Sequence, residues 1–226
     1  MKNTLNNFAD REESSKAFTM LELVMVIVVL GIIATLALPR LDRDIQQELA
    51  DNLLADFRHT QYLALNDYRH NQGNNNWQRS FWRIGFGSCT GSDFYEYIGS
   101  DTDYSSGDIA DSEAASDPTN GNRMNWTRGS DCSVGKYTNV SSRIFISHKF
   151  GVQGVATTGS CAASDYVGFD HLGRPHTGFD VSATPDYSTL LQTACNFVFT
   201  LSDNTTITIT IAPETGYMNI VGQDDS

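Results

Sequence analysis

Positive charge is scarce in this chain: 15 lysines and arginines face 27 aspartates and glutamates, giving a formal net charge of −12. Non-specific affinity for nucleic acid comes from clustered Lys and Arg, so no nucleic acid is expected as a partner. Recurrent catalytic signatures are missing as well. There is no nucleophile elbow, no His-Glu-x-x-His pair and no phosphate-cradling glycine loop, so neither enzymatic activity nor a cofactor is expected. The four cysteines, Cys89, Cys132, Cys161 and Cys195, form no Cys-x-x-Cys pair and no Cys/His cluster of the kind that holds zinc. They read as two disulfides, hence an oxidising compartment outside the cytosol. Three connectivities are open, and sequential pairing is preferred because it closes the shorter loops. Long apolar runs are also lacking, with one exception.

That exception is AFTMLELVMVIVVLGIIATLALPR, residues 17–40. As a helix, residues 18–38 would rise about 31 Å at about 1.5 Å per residue, enough to cross a bilayer core. A cleavable secretory signal has a shorter apolar region and a small-x-small site after it, whereas Pro39-Arg40-Leu41 follows here. Residues 1–17 are polar, of mixed charge and without a hydrophobic period, and read as a leader. Glu22 is the one carboxylate within the run. A charged side chain in hydrocarbon costs roughly 2.5–3.5 kcal/mol on insertion scales, so Glu22 requires a partner. Arginines and lysines lie on both sides of the span and leave orientation to the cysteines, which place the C-terminal part outside.

Beyond Pro39 the pattern becomes amphipathic with a helical period. Leu41, Ile45, Leu49, Leu53, Phe57 and Leu65 recur near one face, with Asp42, Arg43, Gln46, Gln47, Asp51 and Asp56 elsewhere. The helix is expected to reach about Tyr68 and to end at the turn cluster His70-Asn-Gln-Gly-Asn-Asn-Asn76. The organisation is thus a leader (1–17), a membrane-spanning half-helix (18–39), an amphipathic half-helix (40–70) and a β-rich head (71–226). In the head, WQRSFWRIGFG and FYEYIG read as strands around a turn at Cys89-Thr90-Gly91. RIFIS (143–147), DYVGFD (165–170), NFVFTL (196–201), TTITITI (205–211) and YMNIV (217–221) also read as strands. TTITITI places Ile207, Ile209 and Ile211 on one face, expected to look towards the helix. The fold class expected is α+β, an antiparallel sheet wrapped on the distal half of one long helix.

Residues 100–125 are rich in Asp, Ser, Gly and Asn and read as a surface loop. Asp101, Asp103 and Asp108 offer hard oxygen ligands for calcium. Ser106 stands where the EF-hand order requires glycine, with Gly107 one later, so a solvated loop without metal is the expectation. His171 and His176 flank a turn and read as structural. Trp77, Trp82 and Trp126 fit either a glycan-binding patch or core packing.

The apolar stretch resembles the class III prepilin signal shared by type IV pilins and the pseudopilins of type II secretion. The match lies at Ala17-Phe18-Thr19-Met20-Leu21-Glu22, with Ala17 where the family usually has glycine. The resemblance implies leader removal by prepilin peptidase between Ala17 and Phe18 and N-methylation of Phe18. It implies that Glu22 neutralises the N-terminal amine of a neighbouring subunit, and that Gly31 and Pro39 are helix-weakening positions. Partners implied are other pilin or pseudopilin subunits, the peptidase, an inner-membrane assembly platform and the membrane itself. The implied location is the inner membrane, single-pass with the head in the periplasm, and then an extracellular or periplasmic filament. A second resemblance, in GFDHLGRPH (168–176) and ITIAPETGYMNIV, is to minor subunits of the GspH/FimT type and to mannose-sensitive haemagglutinin pilins. It implies a minor structural subunit, with a tip adhesin or ligand-binding subunit (surface, glycan or DNA capture) as the alternative.

Overall fold

The computed structural model describes residues 19–67, 73–104, 109–132 and 138–223, and within these it describes residues 35–44 by backbone alone. The chain divides into two units, residues 1–44 and 45–226. Helix α1 is assigned over Met20–Leu65, three residues short of the expected end.

In the first unit, every described side chain of residues 19–34 is exposed, with Met20 at 86% and Val26 at 47% marking the range of the large apolar ones. Among the described residues no helix is long and apolar enough to cross a membrane. The expected span over residues 18–39 is described with side chains only over residues 19–34.

In the second unit the architecture is α+β, with two antiparallel sheets rather than the single one expected. The strands are β1 (Trp82–Ser88), β2 (Phe94–Gly99), β3 (Val152–Gly159), β4 (Tyr166–Phe169), β5 (Pro175–His176), β6 (Cys195–Leu201), β7 (Thr206–Ile211) and β8 (Met218–Ile220). One sheet runs β2-β1-β4-β5, the other β3-β6-β7-β8. Leu49, Leu53 and Phe57, four residues apart on α1, are fully buried. The Phe57 ring meets Phe86 of the first sheet at 6.1 Å and Phe197 of the second at 5.2 Å, so one aromatic residue of α1 touches both. Alternation on β7 buries Ile207, Ile209 and Ile211, as expected. Ile209 lies in register with Phe197 and therefore on the face that meets α1. Ile45 and Leu65, assigned to the same helical face from sequence, are exposed at 41% and 51%.

Strand β3 went unforeseen because it shows little alternation: as an edge strand it is buried fully only at Val152. The first sheet is covered on both faces, so β1 reads as buried without alternation. Ile84 and Phe86 join the main core, while Trp77, Phe81, Tyr166 and Phe179 form a second cluster. Arg83 is buried near this cluster, its guanidinium 5.4 Å from the centre of the Tyr166 ring. Gly85 and Gly87 pair with Tyr97 and Tyr95 across β2, and a Cβ at either glycine would collide with the tyrosine ring opposite.

RIFIS is not a strand. Ser142–Ile144 forms a 3-10 turn and Ile146–Phe150 a short helix, α2. Ile144, Phe145 and Ile146 are buried in succession, without the alternation that marks a half-buried strand. Gly151, at φ +73°, closes α2, its N–H bonded to the Ser147 carbonyl (2.9 Å). The Ser147 hydroxyl accepts from the Phe94 N–H (2.7 Å) and donates to the Val152 carbonyl (2.5 Å), tying β2 to β3.

Both disulfides are sequential, Cys89–Cys132 and Cys161–Cys195. The second joins the turn after β3 to the start of β6, where Gly159 pairs with Cys195. Gly159 adopts φ +76° against the Ala194 carbonyl, a position with no room for a side chain.

Candidate functional site

Of the residues singled out in the sequence, Ala17 and Phe18 lie outside the described residues, as does Asp108. Glu22 sits in the first turn of α1. Its backbone N–H donates to the Thr19 hydroxyl (3.2 Å), while the Thr19 carbonyl accepts from Leu23 (3.1 Å). Thr19 is therefore the N-cap, and its bond to the N–H three residues on is half of a capping box. A carboxylate there also complements the positive end of the helix dipole by about 0.3–1 kcal/mol. This role was missed from sequence, although the signal, Thr-x-x-Glu ahead of an apolar run, stands in plain view.

Helix α1 is assigned continuously through Gly31 and Pro39. A Cβ at Gly31 would meet nothing within 4 Å, so no contact among the described residues requires glycine there. Pro39 carries no N–H for the Thr35 carbonyl, which removes one hydrogen bond from the ladder.

Two polar arrangements of the second unit fasten other segments to α1. At Gly168–His176, Asp170 is buried and collects the turn: Oδ1 accepts from the N–H groups of Leu172 and Arg174 (both 2.9 Å), and Oδ2 accepts from Arg174 Nε (2.7 Å). Burial pushes the Asp170 carboxyl up, yet hydrogen bonds from His176 and Arg174 outweigh it and hold the group well below the usual carboxylate range. Gly173 at the tip takes φ +77°, and its carbonyl accepts from Gln61 Nε2 of α1 (2.9 Å). The two histidines of the turn part company. His171 is exposed, whereas His176 is buried against Phe81, with Nδ1 3.0 Å from the Thr189 hydroxyl.

The second arrangement was not foreseen. Asp56, assigned to the polar face of the helix, is 1% exposed and forms an ion pair with Arg143. Arg143 Nε also donates to Asp117 Oδ2 (3.0 Å), and Nη1 donates to Asn52 Oδ1 (3.2 Å). Asp117 accepts further from Ser141 Oγ (2.5 Å) and Thr119 N (2.8 Å). No spacing in the sequence announces this cluster, because its members come from three separate segments.

The segment 100–125, expected to be a solvated surface loop, is instead partly interior: Ser100, Asp101, Glu113, Ala115, Asp117, Met124 and Asn125 are all buried. Carboxylate oxygens of Asp101, Asp103 and Glu113 lie within 4.8 Å of one another, an arrangement that a divalent cation could use. Glu113 was not among the candidates read from sequence. Its oxygens already serve the backbone: Oε1 accepts from Thr102 N (2.6 Å), Thr102 Oγ1 (3.0 Å) and Asp103 N (3.0 Å), and Oε2 from Ala110 N (2.9 Å). Burial pushes its carboxyl up, but those N–H donors prevail and lower it, so Glu113 acts as a clasp of the loop. Burial raises the Asp101 carboxyl, against a bond from the Tyr104 N–H.

The tryptophans are spent largely on packing. Trp77 and Trp126 are 6% and 9% exposed, Trp126 meets Phe145 edge-on at 5.5 Å, and Trp82 Nε1 donates to Asp67 Oδ2 (2.7 Å). A groove of about 360 Å³ is lined by Tyr95, Tyr97, Asn125, Trp126 and Arg128, among others. Comparisons of this chain with protein-family models, curated proteins and solved structures return no match.

Proposed function

We propose that this chain is a minor structural subunit of a type IV pilus or of a type II secretion pseudopilus, with the pilin fold and no chemistry of its own. Before assembly its apolar half-helix anchors it in the inner membrane with the head in the periplasm. Prepilin peptidase removes residues 1–17 and leaves an N-methylated Phe18, and the platform then passes the subunit into a filament whose core is made of such helices. The observation that carries this reading is the apolar helix itself: over residues 19–34 every side chain is exposed and only Glu22 is charged. So large an apolar surface requires a covering from outside the chain. An exposed carboxylate at its start supplies a register point for the amine of a neighbour. The paired disulfides support an extracytoplasmic location.

Two variants test the role of Glu22. Glu22→Ala is expected to be processed normally and to fail to enter filaments, measured by recovery in sheared filament fractions. Thr19→Ala loses the helix cap but keeps the carboxylate, and is expected to assemble. Normal incorporation of Glu22→Ala refutes amine pairing, and equal failure of both variants shows that assembly requires the intact helix cap even where the carboxylate is present. Mass spectrometry of the mature chain is expected to find methylated Phe18 at its start. An intact Met1 excludes the family.

The alternative is a tip adhesin or ligand-binding subunit, favoured by the groove lined with Tyr95, Tyr97, Trp126 and Arg128. Substitutions there that abolish attachment while leaving filaments intact select it. DNA capture is disfavoured by the net charge of −12, and salt-sensitive binding of DNA by the purified chain would restore it.

A further inference from the structure

Asp56 of α1 and Glu96 of β2 are 1% and 2% exposed, and neither has a cation to itself. The charged groups that bear on them are Arg143 of the 3-10 turn and Asp117 of the preceding segment. If every carboxyl were ionised, three buried negative charges would surround one guanidinium. Arg143 is bonded to Asp56 Oδ1, Asp117 and Asn52. Two oxygens of the group, Asp56 Oδ2 and Glu96 Oε2, are shut off from solvent and accept no hydrogen bond from any donor among the described residues. A buried carboxylate oxygen without a donor is costly, and two of them side by side are costlier. The two carboxyl groups nevertheless lie within hydrogen-bonding reach of each other.

We propose that Asp56 and Glu96 share one proton between Asp56 Oδ2 and Glu96 Oε2, in a carboxylic acid–carboxylate hydrogen bond that fastens α1 to β2 and is lost as pH rises. The proton resides on Glu96, because Arg143 favours the ionised form of Asp56 through Oδ1. One proton supplies a donor to two orphaned acceptors and removes one of the three negative charges. Burial, reinforced by the charge of Asp56, pushes the Glu96 carboxyl well above its usual range, in agreement with this arrangement. When the shared proton leaves, like charges face each other across the helix–sheet contact, and the device is therefore a pH-sensitive latch.

The sign follows from linkage. A group whose pKa is raised on folding contributes stability in full below its unfolded value, about 4.3 for glutamate, and loses it as pH rises through the folded value. Within that window the shared proton costs about a tenfold drop in the folding equilibrium constant per pH unit. The test is unfolding of the full chain in detergent micelles across pH, comparing wild type with Glu96→Gln, which keeps a donor and cannot ionise. The ratio of their folding constants is expected to change about tenfold per pH unit in that window, in favour of Glu96→Gln as pH rises. Parallel pH profiles would overturn the proposal. Should Glu96→Gln not fold, infrared spectroscopy of wild type labelled with ¹³C-carboxyl glutamate decides: a protonated-carboxyl band that persists as pH rises past the ordinary glutamate value of about 4.3 supports the shared proton, and its disappearance together with the other glutamates refutes it.

Discussion

Arg143 gathers one cluster of buried charge in the second unit, reaching Asp56 and Asn52 of α1 and Asp117 of the neighbouring segment. Removing one partner from a buried ion pair leaves an uncompensated charge and typically costs about 3–5 kcal/mol. Arg143→Ala is accordingly expected to destabilise the chain by about that amount in denaturant unfolding, whereas Lys149→Ala, which removes a surface pair with Glu48, is expected to cost under about 1 kcal/mol. Asp170 works in the opposite pH range from Glu96. Its carboxyl is lowered on folding, so its contribution is present above the unfolded aspartate value of about 3.9 and is lost as pH falls through the folded one. Asp170→Asn is expected to lower the melting temperature at neutral pH and to flatten the fall in melting temperature below pH ~4.

At the scale of elements, α1 is held by packing at Phe57, which lies between the sheets, and by polar contacts at Asp56 and Gln61. Phe57→Ala is expected to cost about 3–5 kcal/mol, because neither sheet can collapse into the space without disturbing the other. The β1–β2 pair depends on glycine in a different way. Tyr95 and Tyr97 lie over Gly87 and Gly85, so Gly85→Ala is expected to displace the Tyr97 ring, detectable as a change in near-ultraviolet circular dichroism and a lowered melting temperature.

For the whole molecule, the disulfides close loops with sequence separations of 43 and 34 residues. Reduction is expected to remove about 2–4 kcal/mol for each, and unfolding in urea with and without reductant measures it. The exposed apolar helix over residues 19–34 and the buried polar network of the head answer to different surroundings, the first to a medium outside the chain and the second to the interior of its own domain.

What could be read from the chain in advance was whatever depends on near neighbours in sequence. The apolar run, the helical period of Leu49, Leu53 and Phe57, the alternation of β7 and the Thr19–Glu22 signal each lie within one helix or one strand, where local geometry dictates which side chains share a face. Tertiary structure decided what distant segments do to one another. It buried Asp56 against Arg143 from 87 residues away, drew Glu113 into the loop as an acceptor for backbone N–H groups, and made RIFIS a 3-10 turn leading into α2 instead of a strand. A carboxylate reads as polar in any sequence. Only the donors and charges brought to it by the fold determine whether it is solvated, paired or protonated.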